Sequence, residues 1–131
     1  MILKSQKNIC SESAGCIDEV NNIPKKILFV CTGNMDRSPT AENLLSGRED
    51  FEVMSAGTWI HARRRISESI LEWADQIFVM EREHKDVILR LKPEVEDKIT
   101  VLDIPDNYRR DGLDLIEMLK TKLSKHLDIR W

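Results

Sequence analysis

The chain has 131 residues, 41% of them hydrophobic and 33% charged, a balance that suits one globular domain around one core. Twenty Lys and Arg against 23 Asp and Glu leave a formal charge of −3, which excludes the basic excess of a general nucleic-acid binder. No apolar run approaches the roughly 18 residues that span a bilayer, so no membrane partner is expected.

Residues 1–24 read as an N-terminal extension that closes on Asn21-Asn22-Ile23-Pro24. Its short apolar start lacks the long apolar stretch of a secretory signal. Cys10 and Cys16 lie in it without the tight Cys/His spacing of a zinc site, and with Cys31 they make an odd count of three. That is no disulfide scaffold, and it points to a reducing, cytoplasmic setting.

A domain then runs over 25–131. Residues 26–31 form a short continuous apolar run, the mark of a strand buried on both faces. A helix follows over 38–46, with Pro39 in its first turn and Gly47 as its stop. A strand is expected over 51–55, a turn over Ser55-Ala56-Gly57-Thr58, and a helix over 67–73. Ser67 caps that helix, with Ile66, Ile70 and Trp73 on one face. Gln76–Met80 reads as a strand, Glu81–Leu91 as a helix halted before Pro93, and Lys98–Leu102 as the fourth strand. After a loop over Asp103–Tyr108, Leu113, Leu115, Ile116, Leu119, Leu123 and Leu127 outline a last amphipathic helix. This fourfold alternation predicts an α/β, three-layer fold: a four-stranded parallel sheet with helices on both faces. Ligands bind such sheets beyond the carboxyl ends of the strands, where the Cys31 loop and the Asp103–Tyr108 loop both emerge.

The most informative stretch is Cys31-Thr32-Gly33-Asn34-Met35-Asp36-Arg37-Ser38. A thiol ends a buried strand, a short polar loop follows, and a helix starts at an Arg-Ser pair. Attack on phosphorus needs a thiolate, which a helix N-terminus and a nearby guanidinium both favour. The N–H groups of the loop, from Thr32 through Gly33, Asn34, Met35 and Asp36, would point inward as a nest for a phosphate. Arg37 grips two phosphate oxygens with its planar fork. Ser38 donates a hydrogen bond to the sulfur, and Asn34 braces the loop from within. Cleaving a phosphate ester also requires a proton for the leaving oxygen. Asp103 and Asp106 both lie where such an acid belongs, although Asp106-Asn107 also reads as an ordinary turn. Tyr108 is placed to form an aromatic wall for a flat substrate.

These residues resemble the low-molecular-weight protein tyrosine phosphatases. Val30 to Pro39 matches Val-Cys-x5-Arg-Ser-Pro, and Ser55-Ala56-Gly57-Thr58 is similar to the family's second segment. Asp106-Asn107-Tyr108 resembles the late Asp-Pro-aromatic loop, with Asn for Pro. Residues 37–42, 72–81 and 102–106 look more closely like a short bacterial and archaeal group of predicted protein tyrosine phosphatases. The resemblance runs from about Ile27 to Leu127. It implies sheet order 2-1-3-4, a brace between Asn34 and Ser55, and no metal or other cofactor. It further implies a two-step reaction on a phosphorylated protein or small aryl phosphate. Cys31 attacks to form a cysteinyl phosphate, Arg37 and the loop amides hold the equatorial oxygens, and Asp106 protonates the leaving phenolate and then activates water.

Three departures bear on that expectation. Asp36 stands where many relatives carry a second Cys, and it sets a carboxylate beside an anion site. The stretch after Thr58 is short, with His61 and Arg63-Arg64-Arg65 in place of the usual substrate-lining loop; the arginines read as a solvated basic face or as a secondary anion contact. Asp103 and Asp106 compete for the acid role, and the resemblance favours Asp106. His84 reads as a surface helix residue. Two further readings stand beside a phosphatase: a phospho-ligand or nucleotide binding module with impaired catalysis, and an arsenate reductase whose internal relay would need Cys10 or Cys16.

Overall fold

The computed structural model describes residues 23–131; Cys10 and Cys16 lie outside the described residues. Strand β1 (Lys25–Cys31) leads into helix α1 (Arg37–Leu45), and β2 (Phe51–Gly57) into α2 (Glu68–Trp73). Strand β3 (Gln76–Val79) precedes α3 (Arg82–Leu91), and β4 (Ile99–Val101) precedes α4 (Leu113–Leu123). The four strands form one parallel sheet in the order β2-β1-β3-β4, as expected.

Strand β1 is central because it can be buried on both sides: Ile27, Leu28, Phe29 and Val30 are all fully buried. Their alternation splits the core. Ile27, Phe29 and Cys31 face a cluster that includes Ala41 and Leu45 of α1 and Leu115, Leu119 and Leu123 of α4. Leu28 and Val30 face Leu71 of α2 and Ile88 of α3. Cys31 therefore ends its strand on the α1 side, under the helix that its own loop begins.

Several boundaries differ from the sequence reading. Strand β2 continues through Ala56 and Gly57, because these pair with Val30 and Cys31; the expected turn starts only after them. A 3-10 helix over Pro93–Lys98 occupies the gap between α3 and β4. It delivers Lys98, whose Nζ donates to the carbonyls of Leu71, Glu72 and Ala74 at 3.3, 3.4 and 2.8 Å. A cation on unpaired carbonyls at the end of α2 favours that short helix. Helix α4 ends at Leu123, but the chain curls on so that Leu127 is still buried. Among the described residues, no helix is long and apolar enough to cross a membrane.

Candidate active site

The loop from Cys31 to Arg37 turns its carbonyls outward. The Cys31 carbonyl accepts from Thr58 N–H at 3.0 Å and that of Thr32 from Trp59 N–H at 2.9 Å. The Gly33 carbonyl accepts from Arg63 N–H at 3.1 Å, and the Asn34 carbonyl from Arg63 Nε at 3.1 Å. Among the described residues, the N–H groups of Gly33, Asn34, Met35 and Asp36 donate to nothing. Carbonyls engaged by the surrounding chain and successive amides with free protons are the makings of an anion nest. Asn34 sits at φ 56°, a left-handed conformation that Asn tolerates better than most residues. Gly57 backs the loop so closely that a Cβ there would lie 2.5 Å from the Thr32 carbonyl oxygen and 3.0 Å from Asn34 N.

Behind the sulfur runs a buried chain of hydrogen bonds. Asn34 Nδ2 donates to Ser55 Oγ at 2.9 Å and to Ser38 Oγ at 3.0 Å. Ser55 Oγ in turn donates to Glu42 Oε1. Ser38 Oγ lies 2.9 Å from Cys31 Sγ and 3.4 Å from the Ala56 carbonyl. A thiolate would take the Ser38 proton; a thiol would give its own to Ser38, whose proton then turns to Ala56. Either protonation state of Cys31 is thus satisfied without rearranging the loop.

Arg37 is fully buried. Its Nη1 donates to Glu81 Oε1 at 2.6 Å and to the Ile104 carbonyl at 2.8 Å. Its Nε lies 3.8 Å from Asp106 Oδ1. Glu81 and Ile104 follow β3 and β4, so three strand ends converge on one guanidinium. Cys31, Thr32, Gly33, Met35, Asp36, Arg37, Trp59 and Asp106 line one cavity of about 350 Å³. A wider cleft of about 730 Å³, lined by residues of α2, α3 and the stretch before α2, lies apart from it and gathers no cysteine or histidine.

Some expected residues stand elsewhere. Tyr108 does not line this cavity: it packs on the α4 side of the core with its hydroxyl 3.7 Å from Met118 Sδ. The exposed aromatic at the mouth is Trp59, the residue directly after the Ser55–Thr58 segment. Asp103 lines a separate hollow with Glu81, Arg82, Glu83 and Pro105, so Asp106 alone of the two acids faces the sulfur's cavity. The Asp36 carboxylate accepts Arg110 N–H at 3.1 Å, which draws its charge towards the loop before α4. Arg63, Arg64 and Arg65 are all exposed; of the three side chains, that of Arg63 braces the Cys31–Arg37 loop from outside, through the Asn34 carbonyl.

His84 is not a surface residue; it is 1% exposed. Its Nδ1 accepts Glu81 N–H at 3.0 Å, and its Nε2 lies 2.9 Å from Thr32 Oγ1. Burial, and then the charge of Arg37, push its pKa down to about 4. The signal in the sequence was its position three residues after Glu81, at the carboxyl end of β3. A histidine near 6.5 when unfolded takes up protons first in the unfolded chain as pH falls. Stability is therefore expected to be unaffected by this group above about pH 6.5 and to decline as pH falls from there to about 4. Urea melts at pH 7, 5.5 and 4.5 check this: the decline should be smaller in His84→Gln than in wild type.

The geometry meets known proteins at this point. A family profile described as "Low molecular weight phosphotyrosine protein phosphatase" matches residues 26–72. The "Low molecular weight protein-tyrosine-phosphatase Wzb" of Salmonella typhi is 30% identical over 131 aligned positions, covering 76% of this chain and 87% of that protein. The chain belongs to the low molecular weight protein-tyrosine-phosphatase family. A "Protein-arginine-phosphatase" of Geobacillus stearothermophilus is 35% identical over 104 positions, 61% of this chain and 70% of that protein. The solved structure of the "YwlE arginine phosphatase from Geobacillus stearothermophilus" superposes with a TM-score of 0.65 at 28% identity, over 80% of this chain and 94% of that one. This member is a cysteine-based phosphatase, with Cys31 at the head of the family's phosphate loop.

Proposed function

We propose that residues 25–131 form the catalytic unit of a cytoplasmic phosphatase that hydrolyses phosphotyrosine or another aryl phosphate ester on a phosphorylated protein or small molecule. The observation that carries this reading is that Cys31, Arg37 and three residues with unspent loop amides, Gly33, Met35 and Asp36, line one cavity. In the first step the Cys31 thiolate attacks phosphorus while Arg37 and the amides take up charge on the equatorial oxygens. The P–O bond to the aryl group breaks, and Asp106 gives its proton to the departing oxygen. In the second step Asp106, now a carboxylate, takes a proton from water as that water attacks the cysteinyl phosphate, and Ser38 donates to the sulfur as it leaves. Met35 and Trp59, both exposed at the mouth, offer apolar walls to a flat leaving group.

The reading with impaired catalysis rested on Asp36, and the Arg110 amide now gives that carboxylate a partner. A second substrate class has better support. Asp106 lines the cavity with Asp36 beside it, and the guanidinium of a phosphoarginine would be attracted to the Asp106 carboxylate. Parallel assays on p-nitrophenyl phosphate, a phosphotyrosyl peptide and a phosphoarginyl peptide separate the two, the larger kcat/KM identifying the class. Absence of turnover on all three by folded wild type would leave the binding-module reading in possession.

The acid is tested by substitution. Asp106→Asn is expected to lower kcat on phenyl phosphate, a poor leaving group, by about 10²-fold or more. It should also remove the alkaline limb of the pH–rate profile for kcat, where the acid has lost its proton. Asp103→Asn, outside the cavity, is expected to keep both. The reverse pattern would transfer the role to Asp103.

A further inference from the structure

His84 is a buried titratable group for which the two-step reaction has no use, and its hydrogen bonds have a definite direction. The Glu81 amide can only donate, so Nδ1, 3.0 Å away, must accept. The ring proton then sits on Nε2 and is given to Thr32 Oγ1 at 2.9 Å. The same oxygen receives a second, longer contact from Arg37 Nη2 at 3.4 Å. Both lone pairs of the Thr32 hydroxyl are thereby engaged, leaving its own proton as the one group still to be used. Thr32 lines the cavity beside Cys31 and Arg37. A hydroxyl accepting from an imidazole and a guanidinium is also a polarised, stronger donor.

We propose that the Thr32 side chain is a further oxyanion donor in this phosphatase, aimed at the phosphoryl group as charge builds on it, and that His84 is the positioning residue that aims it. His84 acts at two points. Through Nε2 it fixes the Thr32 hydroxyl, and through Nδ1 it holds the backbone of Glu81, whose carboxylate orients Arg37. The groups that surround it are Arg37, Glu81 and Asp106, and none displaces it from this neutral, single-tautomer role. A Val at position 32 could keep the shape of the loop and none of this donation. The inference rests on the phosphatase reading and adds a residue pair to it.

The test is steady-state kinetics at pH 6.5 on phenyl phosphate with wild type, Thr32→Val, Thr32→Ser, His84→Gln, His84→Phe and the Thr32→Val/His84→Phe double variant. Thr32→Val is expected to lower kcat by about 10²-fold, the lower end of the scale of one lost oxyanion donor, with little change in KM. Thr32→Ser should recover most of that loss, and His84→Gln, which can still donate to Thr32, more activity than His84→Phe. The decisive number is the coupling. If His84 works through Thr32, adding His84→Phe to Thr32→Val costs much less in kcat than His84→Phe costs alone. Should His84→Phe prove unstable, the Thr32→Val and Thr32→Ser pair decides the donor half and His84→Gln against wild type the positioning half. Wild-type kcat in Thr32→Val, or full multiplicativity in the double variant, overturns the inference and leaves the phosphatase reading standing. Wild type with no turnover on any phosphate ester sinks that reading itself.

Discussion

Cys31→Ser is expected to reduce aryl phosphate turnover by about 10⁴-fold or more while leaving the fold intact, because a hydroxyl is un-ionised at neutral pH and a far weaker nucleophile than a thiolate. The substitution is conservative in shape at a site only 2% exposed. Ser38 remains within reach to hydrogen-bond the new oxygen, and Asn34, Ser55 and Glu42 remain linked behind it. Orthophosphate should therefore still bind, since the amides of Gly33 to Asp36 and the Arg37 guanidinium are untouched. The measurement is paired: stopped turnover of p-nitrophenyl phosphate, and retained protection against thermal unfolding by millimolar phosphate. Residual turnover within tenfold of wild type would remove Cys31 from the role proposed for it.

Arg37 is the second place where a large effect is expected, and there chemistry and stability fall together. Its side chain is 2% exposed and gives its Nη1 protons to Glu81, itself 34% exposed, and to the Ile104 carbonyl. Arg37→Ala strands both acceptors and opens a hole between the ends of β1, β3 and β4. A buried pair broken on one side costs roughly 3–5 kcal/mol, and the partial exposure of Glu81, which can rehydrate, places this case near about 3 kcal/mol. Loss of the guanidinium from the phosphoryl oxygens should lower kcat/KM by about 10³-fold to 10⁵-fold. Arg37→Lys separates the two: a Lys can reach Glu81 as a point charge but has no planar fork for two oxygens. It is expected to keep more stability than Arg37→Ala and still lose most activity. Urea unfolding beside steady-state kinetics reads both. Equal activity in Arg37→Lys and wild type would mean that the fork does not hold the phosphoryl group.

What the sequence disclosed follows from where the information is local. The short continuous apolar run Ile27–Val30 reads as a strand covered on both sides, and these four residues are fully buried at the centre of the sheet. The spacing from Cys31 to Arg37 and Ser38 is a single loop, so its geometry is carried within eight residues. Glu81 was given no role and His84 reads as a surface residue because their roles are made across the sheet: their partners Arg37 and Thr32 lie 44 and 52 residues away. Their place at the carboxyl end of β3, the same edge as Cys31, was the available clue. Tyr108 was misjudged for the opposite reason. Nearness to Asp106 in sequence suggested a shared cavity, but the bend at 106 sends the ring towards Met118 and the α4 side of the core. Trp59 takes the mouth instead because its N–H is tied to the Thr32 carbonyl.

The outward carbonyls of the Cys31–Arg37 loop have a consequence for engineering. Four of them are fastened by Thr58, Trp59 and Arg63, and Gly57 leaves no space for a side chain behind them. The octapeptide from Cys31 to Ser38 therefore does not carry its own shape. Transplanted alone onto a foreign strand–helix junction it would arrive without its outer clasp, which needs β1, α1 and β2 together with the chain as far as Arg63, and without the Glu81 and Ile104 partners that hold Arg37.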